Sequence, residues 1–153
     1  MSFTEHFTER DFACKDGCGY GTHPDDVVTE LPQLLEAARL TLGRPIYVTS
    51  GCRCAKHNEA EGGKPTSAHT RGAAADLRIS GGLQRWETLV ALIVGALWMM
   101  GMLRSQPWLA LARLRTVVRG LGVGPTFVHV DVDEQLADDG KRPAAWGYGA
   151  EQP

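Results

Sequence analysis

This sequence predicts an α+β domain: a small antiparallel sheet with helices packed on one of its faces. Three observations lead there. Segments with helical apolar spacing alternate with short β-branched segments, in the order helix, strand, loop, strand, helix, helix, strand. The last strand, TFVHVDV, alternates its side chains between two faces. At 153 residues the chain suits one modest core, so residues 1–153 are expected to form a single domain.

Each element has its own justification. Residues 1–23 are irregular and punctuated by glycine. Across 24–42, Val27, Val28, Leu31, Leu34, Leu35, Ala38 and Leu42 recur at helical spacing, with start signals at Pro24, Asp25 and Asp26 and a stop at Gly43. Pro32 inside that pattern predicts either a kink or a later start. PIYVTS, at 45–50, is β-branched and short, as a strand requires. Residues 51–66 read as a long polar loop, and 73–79 as a second strand. Residues 83–103 and 107–119 have helical character. Residues 120–125 read as a chain break, 126–132 as the last strand, and everything from Asp133 as a polar tail.

Composition removes several classes of function. A net charge of −2, with no dense Lys/Arg tract, gives no nucleic-acid footprint. The longest uncharged apolar run, 89–103, has 15 residues, short of the roughly 20 that a membrane span needs, so it predicts a buried helix. The opening MSFTEHFTERDF lacks a basic stretch followed by an apolar run, so synthesis in the cytoplasm without a signal peptide is expected. Four cysteines stand as Cys14 and Cys18 in CKDGC and Cys52 and Cys54 in CRC. Those spacings depart from paired zinc knuckles. They favour buried thiols, or a disulfide in an oxidising compartment, over a structural zinc.

The chemistry concentrates in two places. In TFVHVDV, Val128, Val130 and Val132 share the core-facing side, leaving Phe127, His129 and Asp131 on the other. A histidine on a strand is most often a satisfied structural group. A second His/Asp set, in SAHTRGAAADL at 67–77, changes that balance. There the chain can turn at Gly72 and return as a strand, bringing Asp76 back beside His69, and three alanines leave room for a metal and a substrate. His69, Asp76 and His129 supply the three protein ligands of a hydrolytic zinc site.

The stretch SGCRCAKHNEAEGGKPTSAHTRGAAADL resembles the signature of the zinc D-Ala-D-Ala carboxypeptidase family, within the group that includes lysostaphin and the hedgehog signalling domain. The pattern SGxR, HN, GG, SxHxxGxAxD and a late HxD occurs in order. FTERDFACKDGCGYG, FVHVDV and RPAAWGY resemble the ends of phage and bacterial members. The resemblance is weakest over 83–124.

It implies a hedgehog/D-Ala-D-Ala-peptidase-like fold and zinc-dependent hydrolysis of a peptide bond in peptidoglycan stem or cross-link peptides, by a D,D-carboxypeptidase or endopeptidase. His69, Asp76 and His129 match the zinc ligands. Arg53 matches the arginine that faces substrate and steadies the developing oxyanion. Ser67 matches a serine that bonds substrate or a ligand, and Trp146 and Tyr148 would wall the substrate pocket. Many members carry an acid or histidine three positions before the last ligand, where this chain has Thr126. Asp131 is therefore expected as the general base, with orientation of His129 as the other role open to it and Asp133 as a further candidate base. A monomer is expected, acting on the cell wall after release, as a phage lysis enzyme does, or as a virion component. The alternatives are a non-catalytic zinc-binding module and a cell-wall-binding virion module of the same fold.

Overall fold

The computed structural model describes residues 2–79, 88, 90–95, 117–138, 140 and 144–147. Most of the two helices expected over 83–103 and 107–119 lies outside that set. Within it, residues 88, 90–95 and 117 are helical.

A short helix, α1 (Glu9–Phe12), opens the chain, with the Thr8 N–H donating to Asp11 Oδ2 at 2.7 Å. It buries Phe12, whose ring meets Phe3 edge-on at 5.4 Å. A 3-10 turn, Pro24–Asp26, precedes α2 (Glu30–Leu42). The helix begins late rather than kinking: Pro32 falls in its first turn, where the missing N–H has no intrahelical partner to lose. Leu31, Leu34, Leu35 and Ala38 form its buried stripe, at the expected i, i+3, i+4, i+7 spacing.

Among the described residues five strands follow: β1 (Ile46–Ser50), β2 (Ala74–Ile79), β3 (Gly120–Val123), β4 (Val128–Asp131) and β5 (Ala144–Gly147). Their order in the sheet is β1-β2-β4-β3-β5. The α+β class stands, with one difference. The sheet is mixed, because β5 pairs parallel with β3 while the other pairs are antiparallel. The chain leaves β4, crosses through α4 (Glu134–Asp138) and returns beside β3, a connection that reverses direction relative to β4.

Three stretches expected to be irregular contain elements. The loop at 51–66 carries α3 (Ala55–Ala60), the break at 120–125 carries β3, and the polar tail carries α4 and β5. All three depend on tertiary pairing. α3 is too short to show a period, and GLGV and AAWG have little β-propensity of their own.

The sheet's two faces differ in chemistry. Ala75, Leu77, Val128 and Val130 alternate onto one face and join the α2 stripe, Ala91 and Leu92 in one apolar cluster. The opposite face carries a row of directly facing residues, one per strand: Ser50, Asp76, His129, Gly122 and Trp146. The helix-covered core thus holds rigid a polar row on the other side. Among the described residues, no helix is long and apolar enough to cross a membrane.

Candidate active site

Cross-strand register brings Asp76 opposite His129, and a tight turn brings His69 to both. His69 lies in a 3-10 turn, Ala68–Arg71, which Gly72 closes with φ +65°. A Cβ on Gly72 would stand 1.7 Å from the Asp26 carbonyl oxygen, so this turn needs glycine for space as well as conformation. The chain then enters β2 and presents Asp76 four residues on. His69, Asp76 and His129 are all buried.

Three donor atoms converge. His129 Nδ1 is 2.9 Å from Asp76 Oδ1, His69 Nε2 is 3.2 Å from His129 Nδ1, and His69 Nε2 is 3.4 Å from Asp76 Oδ1. Zinc bonds of about 2.0–2.1 Å in a tetrahedron place neighbouring donors about 3.3 Å apart. The triangle therefore matches one face of a zinc coordination sphere in size and in donor type.

The groups behind the triangle fix its proton arrangement. His69 Nδ1 lies 2.6 Å from the Gly51 carbonyl; a carbonyl only accepts, so Nδ1 carries the proton and Nε2 keeps its lone pair for the site. Asp131, fully buried, faces the far nitrogen of His129, with Oδ2 3.4 Å from Nε2. Arg53 donates from Nη2 to Asp76 Oδ2 at 2.7 Å and from Nε to Ser50 Oγ at 2.8 Å. The ligand carboxylate is thereby tied to β1 as well as to β4.

The charges follow from this packing. Burial works against ionised Asp76, but hydrogen bonding, that from His129 foremost, outweighs it and holds the carboxyl well below its usual range. Burial pushes His69 down, towards the neutral form that a ligand needs. It pulls on His129 too, yet there the Asp131 and Asp76 carboxylates win and raise its pKa. A proton on His129 Nδ1 would lie between Asp76 Oδ1 and His69 Nε2, so a cation held by these three atoms has to replace it.

The remaining expected residues fall as follows. Trp146 is half-buried, its ring 5.2 Å from the His129 ring. Gly122, between them in the row, has no side chain to separate the two rings. Ser67 opens the His69 turn without a side-chain cap bond, and its carbonyl accepts from Thr70 Oγ1 at 2.7 Å. Asp133 is engaged elsewhere: both Nε and Nη2 of Arg71 bond it, and its Oδ1 accepts the Leu136 N–H at 3.2 Å, capping α4. That arrangement removes it as the alternative base. Tyr148, another expected pocket wall, lies outside the described residues. The Gly51 carbonyl and the Ser50 hydroxyl were not expected. A backbone acceptor leaves no mark on residue type, and Ser50, though it is the serine of SGxR, carried no assigned role.

A family model described as Peptidase M15 matches residues 5–112, more than half of the chain. The chain belongs to the peptidase M15 family. That is the zinc-dependent, D-Ala-D-Ala carboxypeptidase-like family of metallopeptidases. The match covers Arg53, His69 and Asp76 and stops before His129, which joins the site through the β2–β4 register. No curated protein matches the chain at a significant level.

Proposed function

We propose that the chain, as one domain over 1–153, is a zinc peptidase that cleaves a peptide bond in peptidoglycan stem or cross-link peptides. It would act as a D,D-carboxypeptidase or an endopeptidase. The observation that carries this is the donor triangle of 2.9, 3.2 and 3.4 Å formed by His69, Asp76 and His129. Zinc held there would act as a Lewis acid towards the scissile carbonyl and make water nucleophilic near neutral pH. Membership of the peptidase M15 family supports peptidoglycan as the substrate.

The chain's own residues do the positioning. The Gly51 carbonyl fixes the His69 tautomer. Asp131 orients His129 in place of the general-base role expected from sequence, because it meets the ring nitrogen turned away from the donor triangle. Arg53 steadies Asp76 through Nη2; among the described residues no partner meets Nη1, which is left to bind the substrate carbonyl or carboxylate. Trp146 forms one wall beside His129. The protein works as a monomer and reaches the cell wall after release from the cytoplasm, as a phage lysis enzyme or a virion component.

Incubating the zinc-loaded protein with purified peptidoglycan and weighing the fragments by mass spectrometry tests this. A loss of terminal D-Ala, or separation of cross-linked dimers, is expected, and chelator should suppress either. Intact fragments with one zinc bound at His69 would instead favour the non-catalytic module, a reading supported by Thr126 at the usual acid position and Asp131 behind the ring. Gene neighbourhood tests the phage assignment.

A further inference from the structure

A second set of donors gathers away from the active site. The Sγ atoms of Cys14, Cys18 and Cys54 and a carboxylate oxygen of Asp16 all lie within 4.8 Å of one another. All four cysteines are free thiols. His57 Nδ1 is 3.3 Å from Cys14 Sγ, close to the roughly 3.5 Å that separates sulfur and nitrogen on one tetrahedral zinc ion. His57 Nε2 points to the solvent side, with Glu61 Oε1 at 3.8 Å, so it is Nδ1 that meets the Cys14 sulfur. Two backbone N–H groups point at sulfur: Cys54 N–H at Cys14 Sγ and His57 N–H at Cys54 Sγ, each at 3.4 Å. Such donors favour thiolate over thiol.

We propose that Cys14, Cys18, Cys54 and His57 hold a structural zinc ion. Three thiolates and one imidazole make a closed structural donor set with no place left for substrate. Asp16 is the alternative fourth donor. In the ion-free protein it accepts from the Cys14 thiol at 3.1 Å and the Cys54 thiol at 2.9 Å, bonds that vanish when the thiols give up their protons to bind metal. The Cys18 N–H, 3.0 Å away, still holds it. Cys52 takes no part: its buried thiol faces the Asp26 carbonyl at 3.7 Å, on the other side of the strap.

The position gives the ion a purpose. It would pin the 14–18 loop to the strap at 51–57. That strap supplies the Gly51 carbonyl to His69 and the Arg53 guanidinium to Asp76, and its Cys52 N–H bonds the Phe12 carbonyl at 2.8 Å. The inference does not depend on peptidase activity.

The test uses the full chain, purified from zinc-supplemented cells. Elemental analysis should find two zinc ions per chain in wild type and one in His69→Ala. Cobalt-substituted His69→Ala should show thiolate-to-cobalt charge-transfer absorption, and adding Cys54→Ser should abolish both the band and the metal. Titrating the wild type with a mercurial thiol reagent needs no variant and should release one of the two ions. One zinc per wild-type chain, a mercurial titration that frees none, or a disulfide between Cys14 and Cys54 in the purified protein would overturn the proposal. Asp16→Asn should keep both ions and His57→Gln should lose or weaken one; the reverse pattern would overturn His57 as the ligand.

Discussion

Asp131→Asn is the most informative single change. The asparagine matches aspartate in shape, and the site is closed, with Asp131 fully buried and His129 nearly so. Only charge and bonding change. A bond to a charged acceptor contributes about 1.5–3 kcal/mol and a neutral one about 0.5–1.5, so the substitution costs His129 about 1–1.5 kcal/mol of orientation. A further conflict adds to this. Asp131 Oδ1 also faces the Asp133 N–H at 3.5 Å, so an amide must turn its NH2 towards either that donor or His129. At about 1.4 kcal/mol per tenfold, zinc affinity should fall about 10-fold or somewhat more, within the 10–100-fold typical of losing such a partner. Zinc dissociation and peptidoglycan turnover should be measured on one preparation. Excess zinc should restore most of the rate. Unchanged affinity with turnover down by about 10²–10⁴-fold would refute the orienting role and make Asp131 the proton acceptor.

Four further outcomes are expected. Zinc affinity at the active site should rise about tenfold per pH unit while His129 carries its proton and level off above its raised folded pKa; a flat profile in chelator competition would refute the shared-proton arrangement. Arg53→Lys keeps the charge but cannot span Ser50 and Asp76, so turnover should drop about 10–100-fold with the fold intact by circular dichroism. Gly72→Ala meets both the left-handed backbone and the Asp26 carbonyl, and denaturant unfolding should reveal a loss above about 2 kcal/mol. Glu36→Gln tests the tie to the N-terminus. Burial raises the Glu36 pKa, but bonds from His6 and Thr4 outweigh it and depress it in the fold. The wild-type advantage, about 1 kcal/mol, should therefore be full above the ordinary glutamate range and vanish as pH falls through the folded value.

Residues whose periodicity reflects one buried face were legible. The α2 stripe follows from a helix with one face in the core; in β2 and β4 both faces are buried, and the alternation separates apolar side chains on one face from His129 and Asp131 on the other. The convergence of His69 on Asp76 was legible because Gly72 announces a turn. What escaped notice lacks a local pattern. β3 is half glycine and acquires strand geometry only by lying between β4 and β5. The role of Asp131 turns on which ring nitrogen it meets, a distinction residue type does not carry. The thiols expected from the cysteine spacing are free, but spacing alone did not show which of them meet: Cys54 joins Cys14 and Cys18 across 36 residues or more while Cys52 enters the core.

The donor triangle draws its ties from four separate stretches of chain: Asp76 meets His129 across β2 and β4, the Gly51 carbonyl holds the outer nitrogen of His69, and Arg53 holds the outer oxygen of Asp76. The capacity to hold a cation therefore belongs to the tertiary arrangement and to no single segment. A fragment cut short of β4 would keep the SGxR and SxHxxGxAxD stretches and still lack one side of the triangle.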